Sequence, residues 1–214
     1  MSKRRNIFWV VGGAGSGKTT ICQRLSQRFN LPLYDMDAHI YGTYHGRFSQ
    51  TRHPVNKSWV AAPNGLAWLL NKTWDEFNNF NQAALVEYLD LLVEDVEKME
   101  SDATLLIDGG VCNPAILAQV LPPKQIVCLA RPGLTSREIW NENEERRGMR
   151  AMIDQLPRPE TAWQTFIEFD ARITQTILQE CLENNIRICT RTESDTVAQF
   201  TQQVADALQI NVHF

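Results

Sequence analysis

Short apolar runs alternate with amphipathic stretches along this chain. Five stretches read as strands: residues 7–11, an apolar run that reads as buried, 31–37, 103–110 with its apolar residues ending in Asp108, 125–130 and 187–191. Near-continuous apolar strands are what a parallel sheet covered on both faces requires. Helical spacing fills the gaps. Residues 19–29 form one such pattern. Leu85, Tyr88, Leu92, Val96 and Met99 recur on one stripe, with Glu87, Glu94, Glu97 and Lys98 between them as a solvated acidic face. Trp163, Phe166, Ile167, Asp170, Ile173, Ile177 and Cys181 line a long helix after the break at Pro157 and Pro159. Val197, Phe200, Val204 and Leu208 line a last one, capped by Ser194 or Asp195. The alternation predicts an α/β fold, a three-layer α/β/α arrangement around a five-stranded parallel sheet, in one domain over residues 1–214.

Two segments break the rhythm. Residues 39–80 lose clear periodicity and carry Tyr41, Tyr44, Arg47, Phe48, Arg52, His53, Trp59, Trp68 and Trp74. A connection of that length carries its own helices or a function. It reads as a helical substrate-side insertion, or equally as an aromatic subcore, with a short helix from Leu66 after the turn Pro63-Asn64-Gly65. Residues 131–156 are rich in arginine and glutamate and read as a lid, with Gly148 as its hinge or tip. Asn113-Pro114 reads as the N-cap and first turn of a further short helix.

The first strand leads into Gly12, Gly13, Ala14, Gly15, Ser16, Gly17, Lys18, Thr19 and Thr20. Gly12, Gly17, Lys18 and Thr19 satisfy G-x-x-x-x-G-K-[ST], the P-loop, in its strand–loop–helix setting. Backbone N–H groups and the helix N-terminus then cradle a phosphate chain. Lys18 reaches the β- and γ-phosphates, and Thr19 ligates Mg²⁺. Asp108 ends an apolar strand and is followed by Gly109 and Gly110. That is a Walker B position, holding Mg²⁺ through water, beside backbone that a ligand can approach. Asp35 and Asp37 end the second strand two residues apart, which on a strand gives them one shared face. The C-terminal ends of parallel strands are where open α/β sheets bind ligands. Arg47 and Arg52 are substrate candidates, since guanidinium forks suit carboxylates and phosphates. Arg146 and Arg147 are candidates for stabilising charge on a transferring phosphoryl group.

Composition narrows the partners. The 214 residues are 43% hydrophobic and 21% charged, with a formal net charge of -4, which disfavours nucleic acid and anionic membrane. The start Lys3-Arg4-Arg5 reads as a solvated tail. No run has membrane-spanning length, and the first strand is too short for a signal peptide. Cys22, Cys112, Cys128, Cys181 and Cys189 include no C-x-x-C pair, which predicts reduced, mostly buried thiols in a cytoplasmic setting.

Gly15-Ser16-Gly17-Lys18-Thr19, Leu25, Phe29, the Asp35/Asp37 pair and Asp108-Gly109-Gly110, in this order of elements, resemble the nucleoside monophosphate kinase-like P-loop family. The closest resemblance is to shikimate and gluconate kinases. It implies ATP and Mg²⁺ as cofactors and a small-molecule acceptor. It makes Asp35 a Mg²⁺-water ligand and Asp37 a contact or base for the acceptor hydroxyl. Gly109 and Gly110 become a substrate-side surface, and Arg137, Arg146 and Arg147 lid residues. The chain departs from the family at the insertion, which lacks F-R-x-x-E, and at the lid, which lacks R-x-x-x-R-x-D-D. The implied function is ATP-dependent phosphoryl transfer to a small molecule. The alternative is a nucleotide-binding regulatory ATPase.

Overall fold

The computed structural model describes residues 6–99, 103–142 and 144–210. The basic start Lys3-Arg4-Arg5 lies outside them. Five parallel strands form one sheet: β1 (Ile7–Val11), β2 (Leu33–Asp35), β3 (Leu105–Asp108), β4 (Ile126–Ala130) and β5 (Arg187–Thr190), in the order β2-β3-β1-β4-β5. Helices cover both faces, as the alternation of apolar runs and amphipathic stretches predicts.

Side-chain parity along each strand sorts the core into two layers. Phe8, Val10, Leu106, Val127 and Leu129 face α1 (Lys18–Phe29) and a helix near the C-terminus, where they meet Ile21, Cys22, Leu25, Phe200 and Val204. Trp9, Val11, Leu105, Ile107, Ile126 and Cys128 face the other way. They pack with Leu85, Tyr88, Leu91 and Leu92 and with Ile177 and Cys181.

After β2 comes a single helical turn, α2 (Met36–Ala38), then a π-helical segment His39–Thr43, α3 (Pro54–Val60) and α4 (Gly65–Leu70). The long crossover α5 (Trp74–Lys98) starts eleven residues before the first position of its apolar stripe, on a Thr73/Glu76 capping box. Beyond β3 lie α6 (Pro114–Leu117) and, after β4, α7 (Ser136–Asn141) and α8 (Glu144–Ile153). Then come α9 (Pro159–Glu183) and, after β5, α10 (Val197–Ala207).

Several expectations are corrected. Asn113 precedes α6 but makes no cap bond; Glu180 of α9 accepts the Ala115 N–H instead, at 2.9 Å. The last helix is capped by Thr196 in a capping box with Gln199, one residue beyond the expected Asp195. Asp195 is spent on a local turn, accepting from the Thr192 N–H at 2.7 Å. Gly148 is a residue of α8, not a hinge or a tip.

The acidic face of α5 is not merely solvated. Glu87 is 8% exposed and accepts from the N–H groups of Val55 (2.9 Å) and Asn56 (2.8 Å) and from the Asn56 side chain. Pro54 has no N–H to satisfy, so a carboxylate from α5 caps the start of α3. Arg47 forks onto Asp95 at 2.7 Å and Glu94 at 3.0 Å, while Arg52 bonds Asp90 and Glu94. His53, 1% exposed, accepts the Ser49 N–H on Nδ1, so Nε2 carries the proton given to Asp90 at 2.9 Å. Charge therefore locks the insertion onto the crossover helix, around an aromatic cluster of Tyr44, Phe48, Trp59 and Tyr88.

Replacing Glu87 by alanine should lower unfolding stability by about 2 kcal/mol or more, because two buried helix N–H groups lose their acceptor. Urea denaturation measures this; a loss below about 0.5 kcal/mol would remove Glu87 from the account.

Candidate active site

The site is built at the C-terminal ends of β1, β2 and β3. Gly17, the N-cap of α1, has φ 90°, a left-handed conformation that glycine adopts without strain. α1 has no side-chain cap and no acidic residue in its first turn, whereas α4, α5, α7 and α10 are all capped by side chains. Its first N–H groups are therefore left for an anion. Ser16 donates its hydroxyl to Gly13 O at 2.8 Å and tightens the loop. Lys18 folds back over it, its Nζ donating to Gly12 O at 2.8 Å and Gly13 O at 3.1 Å. A cation held on two carbonyls at a positive helix end fits a phosphate chain.

Leu106 faces α1, so by parity Asp108 does too. There the Thr19 hydroxyl and the Cys22 thiol are close enough to favour its charged form. Asp108 is 4% exposed, and its Oδ1 is buried without a hydrogen-bond partner. Burial pushes its carboxyl above the usual carboxylate range, Asp35 adds to the rise, and Thr19 and Lys18 oppose it. Asp35 pairs laterally with Asp108 in the β2–β3 register. Among the described residues no three His, Cys, Asp or Glu side chains form a direct metal cluster. A hydroxyl beside one orphaned carboxylate oxygen instead fits Mg²⁺, which keeps its waters and takes few protein ligands.

Asp35 and Asp37 do not share a strand face. β2 stops at Asp35, which N-caps α2 by accepting the Ala38 N–H at 2.9 Å. The helical turn swings Asp37 over the end of β3. There its Oδ1 accepts the Gly110 N–H at 3.1 Å. A Cβ on Gly109 would fall 2.4 Å from Asp37 Oδ2, so only glycine allows the carboxylate to lie this close. Asp37 keeps an open side to solvent. Even so, desolvation by the surrounding protein raises its carboxyl above the usual range; Lys18 opposes this, and Asp108 and Asp35 reinforce it. Lys18, Asp35, Asp37 and Asp108 thus form one electrostatic group.

Arg146 reaches the rim of the loop. Its Nη1 lies 3.4 Å from where a Cβ of Gly15 would stand, and it bonds Ile139 O at 3.2 Å and Glu142 at 2.7 Å. Arg147 lies on α8 with its side chain exposed. Arg47 and Arg52 are not brought to the site: both forks are taken by α5.

Three features of the site were not anticipated. Trp9 donates its indole N–H to Gly109 O at 2.9 Å. Asp170, on the apolar stripe of α9, is 8% exposed, has its Oδ2 buried without a hydrogen-bond partner, and is pushed up by burial, with Ser136 opposing. A lone aspartate on an apolar stripe was the available signal for it. Tyr41 is 67% exposed, stands edge-on to Trp59 at 5.9 Å and senses the charge of Asp37. Burial, then the charge of Asp37, pushes the Cys112 thiol up to about 12, so it stays protonated and is no nucleophile at neutral pH. None of the five cysteines is in a disulfide.

No family model matches the chain. Over 60 residues it is 38% identical to the shikimate kinase of Buchnera aphidicola subsp. Schizaphis graminum, a stretch that is 28% of this chain and 29% of that enzyme. Whole-chain likeness is structural. TT1252 from Thermus thermophilus matches with a TM-score of 0.53 and 17% identity, over 97% of each chain. Shikimate kinase from Acinetobacter baumannii, solved in complex with shikimate, matches with a TM-score of 0.45 and 16% identity, over 99% of this chain and 97% of its own. The first structural match establishes the shared fold; the sequence match relates part of the chain to shikimate kinase.

Because Asp108 carries a folded-state pKa above its unfolded value near 3.8, its ionised form opposes folding once the pH exceeds that window. Asp108→Asn should raise the melting temperature of the ligand-free protein at pH 7, and the gain should shrink as the pH falls toward 3.8. Calorimetry across that range is the check; a variant less stable than wild type at pH 7 contradicts the electrostatic account.

Proposed function

We propose that this protein is an ATP-dependent kinase that phosphorylates a hydroxyl of a small molecule. One observation carries the reading: the uncapped α1 terminus with Lys18, the Thr19–Asp108 pair and the Gly110-bound Asp37 all meet at one edge of the sheet. The local likeness to a shikimate kinase supports it.

In this reading residues 12–20 bind the triphosphate through backbone N–H groups. Lys18 leaves the carbonyls of Gly12 and Gly13 for β- and γ-phosphate oxygens. Thr19, Asp35 and Asp108 hold Mg²⁺ directly or through water. The ion, when bound, neutralises charge on the phosphates. Asp37 orients the acceptor hydroxyl and takes its proton as the new O–P bond forms and the bond to the β-phosphate oxygen breaks, releasing ADP. Its raised pKa makes it a better base than a free aspartate. Arg146 and Arg147 cover the transferring group. Gly109, Gly110 and the exposed Tyr41 border the acceptor. Arg47 and Arg52 shape that side indirectly, by fixing the insertion to α5. Five unpaired thiols suit a reducing cytoplasm.

The regulatory ATPase alternative is less well supported. Hydrolytic motors place a water-activating glutamate after the Walker B aspartate, and here Gly109 follows Asp108.

Labelled ATP, offered with hydroxy acids, sugars, polyols, nucleosides and nucleoside monophosphates, tests the proposal; label should pass to one of these classes. Lys18→Ala should abolish turnover, and wild-type rates in that variant would refute the mechanism. Asp37→Asn should reduce transfer at least 100-fold while ATP affinity stays within about threefold. Transfer to none of the compounds, with nucleotide-dependent capture of a protein, would favour the regulator.

A further inference from the structure

The peptide unit between Gly109 and Gly110 is held from both sides. Its carbonyl accepts the Trp9 indole N–H at 2.9 Å, and its N–H donates to Asp37 Oδ1 at 3.1 Å. A trans peptide is planar, with C=O and N–H pointing in opposite directions. Fixing the carbonyl toward Trp9 therefore fixes the N–H toward Asp37. The constraint matters here because both flanking residues are glycines, at φ 71° and 73°. A peptide between two glycines can turn over with little steric penalty, and turning this one would present a carbonyl to a carboxylate. The backbone just before it is anchored separately, by the Gly109 N–H on Val10 O at 3.1 Å, so the ladder alone does not set the next peptide plane.

Trp9 is suited to the task. It is 1% exposed on the central strand, and its ring is wedged in the core that α5 and α9 cover. A buried indole N–H without an acceptor is costly, so the ring and the Gly109 carbonyl lock each other. Packing at Trp9 requires only an apolar ring. The N–H is the part that reaches the site.

We propose that Trp9 is a positioning residue for Asp37: its indole orients the Gly109–Gly110 peptide so that the Gly110 N–H holds the carboxylate at the acceptor side. The functional half of this inference rests on the kinase reading; the structural half does not.

Amide exchange followed by NMR separates the two halves. In Trp9→Phe, exchange of the Gly110 amide should speed at least tenfold, while Val10 and Ile107 change less than threefold. Trp9→benzothienylalanine, introduced at this site alone, keeps the bicyclic volume and removes only the N–H; it should give the same pattern even if the phenylalanine variant fails to fold. Transfer of label from Mg·ATP to the pooled hydroxyl compounds gives the second readout. Trp9→Phe should lower kcat 10- to 100-fold with KM for ATP within threefold, yet change kcat less than threefold in an Asp37→Asn background, as expected of residues acting as one unit. Gly110 exchange rising no more than that of Val10 and Ile107 overturns the positioning role, whether or not wild type transfers phosphate. Equal rate losses in both backgrounds overturn the link to Asp37. A wild type that transfers no label but shows the selective Gly110 effect refutes the kinase reading alone.

Discussion

The register between β1 and β3 is the constraint on which the rest of the structure depends. Val10 stands opposite Asp108, and the Gly109 N–H continues the ladder onto Val10 O. With that alignment, parity sends Asp108 toward α1, where Thr19 and Cys22 meet it, and Trp9 toward the opposite face, where its indole meets Gly109. A slip of one residue would exchange the faces of every side chain on the strand. Asp108 would then enter the apolar layer beneath α5 and α9, and the P-loop would lose its carboxylate. The apolar residues on both sides of each strand hold the register, so the core is what places the chemistry.

The two halves of the site are held by different physics. The phosphate half is backbone: an uncapped helix end, a left-handed Gly17 and a lysine resting on carbonyls. Few side chains are needed, and the local sequence is nearly sufficient to form it. The half proposed for the acceptor depends on distant charge. Glu87 caps α3, and Asp90, Glu94 and Asp95 hold Arg47, Arg52 and His53. Single exposed ion pairs contribute little, but this set is a network around one helix and includes a buried carboxylate. It fixes where α2 and the π-helical segment carry Asp37 and Tyr41.

That difference explains what could be read from the sequence. β1, β3 and β4 were legible because strands buried on both faces appear as unbroken apolar runs, while the edge strands β2 and β5 showed as shorter, mixed stretches. The P-loop was legible because its geometry is local. Arg47 and Arg52 looked like substrate ligands because an arginine fork fits a carboxylate anywhere, and the carboxylates it meets lie some forty residues later on α5. α3, of seven residues, is too short to show a helical period, whereas the turn Pro63-Asn64-Gly65 marked the start of α4. The Asp35/Asp37 reading failed on one assumption, that the strand continues. Asp35 is instead a helix cap, and the chain turns before Asp37. Trp9 was legible as core but not as a donor, because its acceptor is a backbone carbonyl a hundred residues away.

What remains at the sheet edge is an arrangement that costs stability. Asp35, Asp37 and Asp108 converge on a single nearby ammonium, Lys18, and that ammonium is hydrogen-bonded to carbonyls rather than to any of the three. One buried oxygen of Asp108 has no donor at all. An ordinary core would replace such a group with an apolar one of the same shape. In the kinase proposed above it would be kept, because a divalent cation would neutralise the acids and free Lys18 to meet phosphate in the same event. On that reading ligand and metal would relieve a strain that the folded chain already carries, and the site's affinity would come from charges that the fold leaves unpaired.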